Sequence, residues 1–250
     1  MLLKDKVALI TGGAGLNGLG FATARQMAEH GARVVILDLA HAEPAAAAAR
    51  LGAGHLGLLA DVTDKASCEA AAAEVRAKLG RIDILVNNAG TSIRKPTHLL
   101  ELDEWNTVMD TNLTSAFLCS KAAYPALKAS GRGKVINIGS MMSIFAGSYA
   151  PAYAASKGGI VQFSRSCACA WAPDNIQVNA ILPGWIDTDL TKGARQQVAG
   201  LHERVLARTP AARWGEIGDF AGIAVFLASP ASDFVTGAAI PVDGGFSVMA

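Results

Sequence analysis

The chain has 250 residues, 51% of them hydrophobic and 17% charged, with a formal net charge of +1. That composition suits one sizeable α/β domain and is too apolar for a disordered chain; it leaves no basic footprint for nucleic acid or an anionic membrane surface. No apolar run reaches the length of a membrane span, and "MLLKDKVALI" enters a strand without a signal-like apolar segment before it, so a soluble, cytoplasmic protein is expected. Cys68, Cys119, Cys167 and Cys169 lack the paired spacing of a metal site and the five histidines are scattered, so reduced thiols and no bound metal are expected.

In chain order, the strand-like runs are "KVALI", "RVVILD", "HLGLLAD", "RIDILVNNAG", "KVINIGS", "NIQVNAILPG" and "AAIPVDGG". Between them, 18–30, 43–51, 64–79, 103–130, 151–171 and 216–228 carry Ala and Leu at helical spacing. Continuously apolar strands suit a parallel sheet covered on both faces. Seven such units without a Pro- or Ser-rich linker predict one α/β domain over 1–250: a doubly wound Rossmann fold with a seven-stranded, mainly parallel sheet and helices on both faces. The segment 184–215 breaks the rhythm and is expected to form a substrate loop with a short helix at 194–207.

The first punctuation mark is "TGGAGLNGLG", five glycines between a strand and the helix that ends near Gly31. In that context, backbone N–H groups and the positive end of the helix dipole hold a pyrophosphate. Gly13, Gly15 and Gly18 match the dinucleotide fingerprint G-x-G-x-x-G, and Asp38 follows 20 residues beyond Gly18 at the end of the second strand. A carboxylate there accepts hydrogen bonds from ribose hydroxyls and repels a 2′-phosphate. The loop carries no Lys or Arg, and residue 39 is Leu39, so NAD(H) is expected in preference to NADP(H).

Two Tyr-x-x-x-Lys pairs follow, Tyr124/Lys128 and Tyr153/Lys157, each with a hydroxyl residue thirteen positions earlier, Thr111 and Ser140. Both spacings put the two side chains on one helix face. Thr111 and Tyr124 share one predicted helix, where thirteen residues span roughly 20 Å, so they cannot meet at one substrate atom. Ser140 instead ends a strand, and Gly147 and Pro151 break the chain before Tyr153 opens a helix. That path can fold back at the C-terminal edge of the sheet and bring Ser140, Tyr153 and Lys157 together. A nearby ammonium favours tyrosinate, which an alcohol oxidation needs as its base; Ser140 would hold the substrate oxygen.

These motifs resemble the short-chain dehydrogenase/reductase family over essentially the whole chain. The family's T-G-x-x-x-G-x-G loop is matched by Thr11-Gly12 and by Gly18-Leu19-Gly20, separated here by five residues, "GAGLN", where three are usual. The resemblance implies Gly12, Gly15, Asn17, Gly18 and Leu19 around the pyrophosphate, Asp61 and Val62 beside the adenine, and "NNAG" with Asn88, Ala89 and Gly90 closing over the adenosine side. It also implies Pro183, Gly184, Ile186 and Thr188 around the nicotinamide. Ser140, Tyr153 and Lys157, with Asn112 of "TNLTSAF", match its catalytic tetrad, and Lys157 would also reach the nicotinamide ribose. Local similarity to gluconate 5-dehydrogenases and 2-deoxygluconate 3-dehydrogenases implies a sugar, polyol or sugar-acid substrate, with Arg94, Met142 and Trp185 as candidate contacts beside Ser140. A β-ketoacyl reductase and a non-catalytic dinucleotide sensor are the alternatives. Family practice implies a homotetramer, or a dimer, with two-fold symmetry.

Overall fold

In the computed structural model, which describes residues 1–249, the seven apolar runs become seven strands of one sheet. They are β1 (Val7–Thr11), β2 (Arg33–Asp38), β3 (Leu56–Leu59), β4 (Ile84–Asn87), β5 (Gly133–Ile138), β6 (Ile176–Pro183) and β7 (Ala239–Val242). Their order is β3-β2-β1-β4-β5-β6-β7, and every neighbouring pair is parallel. Parallel neighbours need a crossover between them, and α1 (Leu19–Glu29), α2 (Pro44–Ala49), α3 (Lys65–Leu79), α4 (Leu102–Met109), α5 (Ser115–Ala129), α6 (Pro151–Trp171), α7 (Asp189–Gln197), α8 (Leu201–Arg208) and α9 (Ile217–Ala228) lie on those connections.

The alternation of strand side chains sorts the core into two layers. Ala8, Ile10, Val34, Ile36, Ile84 and Val86 pack under α1 and α9, against Phe21, Met27 and Phe220. Val7, Leu9, Val35, Leu37 and Leu85 face the other way, against Val75 of α3, Leu127 of α5 and Cys167 of α6. At the margin β3 ends the sheet, and its Leu59 is exposed.

Two helical expectations are corrected. The single helix over 103–130 is α4 and α5 joined by a π-turn at Asp110–Thr114, which widens the winding by one residue around Asn112. The short helix expected at 194–207 is instead the end of α7 and nearly all of α8. The chain breaks between them where Val198 turns extended (φ −115°, ψ 106°), and Gly200, in a left-handed conformation (φ +64°), leads into α8. The strand order reverses between β1 and β4, so the C-terminal ends of β1, β4, β5 and β6 open on one crevice.

Candidate active site

Ser140 follows β5 and turns at once. Its Oγ accepts the Met142 N–H at 3.1 Å, while its own N–H donates to Ser143 Oγ at 3.2 Å. The Ser143 hydroxyl in turn donates to the Lys157 carbonyl at 2.6 Å, which ties this turn to α6. Pro151 opens α6 at a position where its missing N–H costs nothing, and Tyr153 and Lys157 follow one turn apart. Lys157 Nζ donates to the Ile138 carbonyl at 2.7 Å and lies 5.8 Å from the Tyr153 ring centroid. Burial pushes the Lys157 ammonium down to about 8. It pushes the Tyr153 phenol up, with the Ser140 hydroxyl and the Arg94 charge pulling the other way.

Asn112, on the π-turn, is gripped from two sides. Its Oδ1 accepts the Thr91 N–H at 2.8 Å, and its Nδ2 donates to the Thr91 carbonyl and to Ser156 Oγ, each at 3.0 Å. Ser156 closes the circuit by donating to the Tyr153 carbonyl at 2.8 Å. A methyl group placed on Gly90 would sit 3.4 Å from Asn112 Oδ1 and 3.5 Å from Lys157 Nζ, so both atoms border the end of β4. The other pair does something else. Tyr124 Oη donates to Asp174 at 2.5 Å, and Lys128 Nζ pairs with the same carboxylate at 2.7 Å.

The glycine loop is fastened to the "NNAG" stretch. Thr11 Oγ1 accepts the N–H groups of Asn88 at 3.0 Å and Ala89 at 3.1 Å, and Asn88 Nδ2 donates to the carbonyls of Thr11 at 3.0 Å and Gly12 at 2.7 Å. Gly12 has φ +61°, and a Cβ there would come within 2.7 Å of the Ala89 Cα, so only glycine fits. Helix α1 starts behind Gly18 with no side-chain cap, which leaves its first N–H groups to an outside acceptor. Asp38, at the end of β2, accepts the N–H of Ala14 at 3.0 Å and of Leu39 at 2.9 Å. Asp61 and Val62 follow β3 at the same edge of the sheet, and Asp61 holds Thr63 by two hydrogen bonds. An uncapped helix start, a glycine turn against backbone and an acid at the end of β2 fit a dinucleotide. Among the described residues, no group of three His, Cys, Asp or Glu side chains is arranged to hold a metal.

A cavity of about 280 Å3 runs across the crevice. It is lined by Gly12, Gly15, Asn17, Gly18, Leu19, Asn88, Gly90, Arg94, Ser140, Met142, Tyr153, Lys157, Pro183, Gly184, Trp185, Ile186 and Thr188. Asp38, Leu39, Asp61, Val62, Ala89 and Asn112 do not line it. Arg94 donates to the Gln197 side chain at 3.0 Å and to the Leu190 carbonyl at 3.2 Å, both on α7. The lengthened glycine loop also reaches α7, where Asn17 Nδ2 donates to Asp189 at 3.2 Å. Thr188 caps α7 and pairs with Thr191. Trp185 stands edge-on to Trp214 with centroids 5.6 Å apart, and its buried indole N–H has no partner among the described residues.

Sequence reasoning missed four contributors: Ser143, Ser156, Tyr149 and Asp189. Ser143 was visible as the second serine of a three-residue capping spacing, "SMMS". Tyr149, half-buried along the cavity, and Asp189, which meets a residue 172 positions away, leave no local signal.

A family model described as enoyl-(acyl carrier protein) reductase matches residues 12–247. The chain is 39% identical over 251 residues to a 2-dehydro-3-deoxy-D-gluconate 5-dehydrogenase of Formosa agariphila, covering 97% of this chain and 93% of that protein. It is 37% identical to the 3-oxoacyl-(acyl-carrier-protein) reductase of Escherichia coli, with 98% of each covered. The crystal structure of a gluconate 5-dehydrogenase from Burkholderia cenocepacia in complex with NADP and tartrate superposes with a TM-score of 0.94 at 39% identity, covering 99% of this chain and 97% of that one. The chain belongs to the short-chain dehydrogenase/reductase family. It is an oxidoreductase acting on CH–OH groups with a nicotinamide cofactor. None of its helices among the described residues is long and apolar enough to cross a membrane.

Proposed function

We propose that the protein interconverts a secondary alcohol and its ketone in a sugar acid, with Tyr153 as the proton-transfer group. The observation that carries this is the meeting of Ser140, Tyr153 and Lys157 in a cavity that also holds a cation, Arg94, which has no carboxylate partner among the described residues. Gly12, Gly15, Gly18, Pro183 and Gly184 would hold a nicotinamide dinucleotide there, which would supply the hydride acceptor or donor.

The chain's own residues handle the proton and the orientation. Ser140 Oγ donates to the substrate oxygen and keeps it beside Tyr153 Oη. Tyr153 takes the hydroxyl proton in oxidation and returns it in reduction. The Lys157 ammonium, one turn away, favours the tyrosinate form against the upward pull of burial. Asn112 holds the end of β4 against α6 and so keeps the lysine's surroundings in register. Arg94 offers its remaining N–H donors to a carboxylate, a charge-assisted contact. Met142 and Trp185 bound the substrate, and the indole N–H of Trp185 supplies a further donor.

NAD(H) is the preferred cofactor in this reading, supported by the carboxylate of Asp38 at the end of β2 and by the absence of a basic side chain in residues 11–20. The NADP found with the Burkholderia cenocepacia enzyme makes that preference the first thing to measure. The segment 184–215 acts as the substrate loop. Exposed Leu102, Phe117 and Val248 support assembly through α4, α5 and the C-terminal segment into a two-fold symmetric tetramer. A second reading, reduction of β-ketoacyl thioesters, is favoured by the likeness to the Escherichia coli reductase. The deciding experiment assays the purified protein on sugar acids, polyols and acetoacetyl thioesters with each cofactor. Turnover of sugar acids with NAD(H) is expected, and turnover of the thioesters alone would overturn the proposal.

A further inference from the structure

Behind the catalytic cavity lies a second one, of about 230 Å3. The two share Met141, Met142, Tyr149 and Trp185 as a common wall, so a ligand seated at Ser140 and Tyr153 has this space directly beyond Met142. Met142 is an unbranched, flexible side chain, suited to a partition that moves aside.

The far cavity differs from the near one in chemistry. Its floor is apolar, made of Phe145, Val205 and Phe246, with little to hydrogen-bond a polyol. Its rim carries Arg204 and Arg208. The Arg208 guanidinium carbon lies against two rings set edge-on to each other, 4.6 Å from the Phe145 centroid and 4.5 Å from that of Phe246. Two cation–π contacts hold the guanidinium in place, and its N–H donors suit a forked contact with a carboxylate. Neither arginine forms an ion pair among the described residues. Arg204 reaches the field of Tyr149, where with Arg94 it pulls the phenol down against the upward pull of burial.

We infer that the active site extends past Met142 into this groove and takes hydroxy or oxo acids with an apolar body, whose distal carboxylate is held by Arg208 with Arg204 beside it. This goes beyond the sugar-acid reading by adding a second class of substrate, with an apolar body in place of a polyol and its carboxylate at Arg208 rather than at Arg94. It rests on that reading only for the placement of the reacting carbon at Tyr153.

The test is a series of (ω−1)-hydroxy acids of increasing chain length, each paired with the neutral 2-alkanol of the same length, and with D-gluconate as the compact acid. Once the chain spans the groove, kcat/KM for the acid should exceed that for the alcohol by roughly ten- to hundredfold. The substitution Arg208→Ala should remove most of that advantage, cutting the acid far more than the alcohol. Acids no better than alcohols at any length would overturn the inference, as would equal losses on both in Arg208→Ala, which would make Arg208 only a cover for the two rings. If that variant fails to fold, the comparison of acid with alcohol in the unmodified protein decides. Turnover of gluconate with an inert series would refute the groove and leave the sugar-acid reading standing. Turnover of the long acids without gluconate would do the reverse.

Discussion

The molecule contains the same four-residue spacing twice, and the two copies live in opposite surroundings. Tyr124 and Lys128 sit on α5 at the surface and share the carboxylate of Asp174, with the tyrosine ring 5.0 Å from that of Trp171. That hydrogen bond raises the pKa of both groups, so the phenol keeps its proton and the lysine its charge. Tyr153 and Lys157 sit on α6 at the crevice, where Lys157 is 4% exposed and its nearest hydrogen-bond partner is the neutral Ile138 carbonyl. Burial there lowers the lysine to about 8 and raises the tyrosine, against which the Ser140 hydroxyl and the Arg94 charge pull the phenol back down. One pair has a carboxylate partner and the other has none among the described residues, which is why the proposed chemistry is assigned to the second.

The sharpest way to break this contrast within the buried pair is Lys157→Met. Activity should fall by at least about a hundredfold, with little change in the KM for the alcohol, because the positive charge that favours tyrosinate is gone. Stability should not fall with it. The folded lysine titrates near 8, below its ordinary 10.5, so burying the ammonium is unfavourable below about pH 8. Between those two values the unfolded chain holds more protons than the folded one, and the unmodified protein gains stability as pH rises. The variant should therefore melt at least as high at neutral pH and lose that advantage toward pH 10.5. A lower Tm at neutral pH would mean that the bond to Ile138 outweighs the desolvation.

A smaller effect, roughly ten- to hundredfold in kcat/KM, is expected from Arg94→Ala on an acidic substrate, with little on its neutral analogue. Equal losses on both would reduce Arg94 to a tie between the β4 end and α7 through Gln197 and Leu190. Next, Asp38→Ala should shift the NADP(H)/NAD(H) ratio of kcat/KM by about tenfold toward NADP(H). An unmodified protein that already favours NADPH would refute the argument from Asp38. The smallest effect belongs to the surface pair. Asp174→Asn should leave kcat/KM within about twofold and lower Tm by no more than about 2 °C, since the Lys128 end of the ion pair is exposed and an amide oxygen can still accept from Tyr124.

How far the sequence carries this contrast depends on the range of the interaction. Seven strands, the crossovers and the convergence of Ser140 with Tyr153 follow from periodicity and from where Gly147 and Pro151 break the chain. The π-turn that sets Asn112 does not, because "DTNLT" reads as ordinary helix and only the contacts with Thr91 and Ser156 show what the wider turn does. The split of 189–208 into α7 and α8 was marked by Gly200, which the amphipathic pattern on either side obscured. The lengthened glycine loop was legible as an insertion, but its contact from Asn17 to Asp189 spans most of the chain and left no trace in local pattern. The proposed choice between the two tyrosines rests on distance, since a helix is rigid enough to keep Thr111 from Tyr124, and on the chain breaks at Gly147 and Pro151 that let Ser140 approach Tyr153.

The central claim is that Tyr153 moves the proton while its surface twin does not. Tyr153→Phe and Tyr124→Phe can be compared in rapid-mixing experiments with oxidised nicotinamide cofactor and a turned-over alcohol, following the absorbance of the reduced cofactor. Both variants should bind cofactor and melt near the unmodified protein. The account predicts a loss of roughly a thousandfold in the rate for Tyr153→Phe and less than about twofold for Tyr124→Phe. Near-normal rates in Tyr153→Phe, or similar losses in the two, would contradict it.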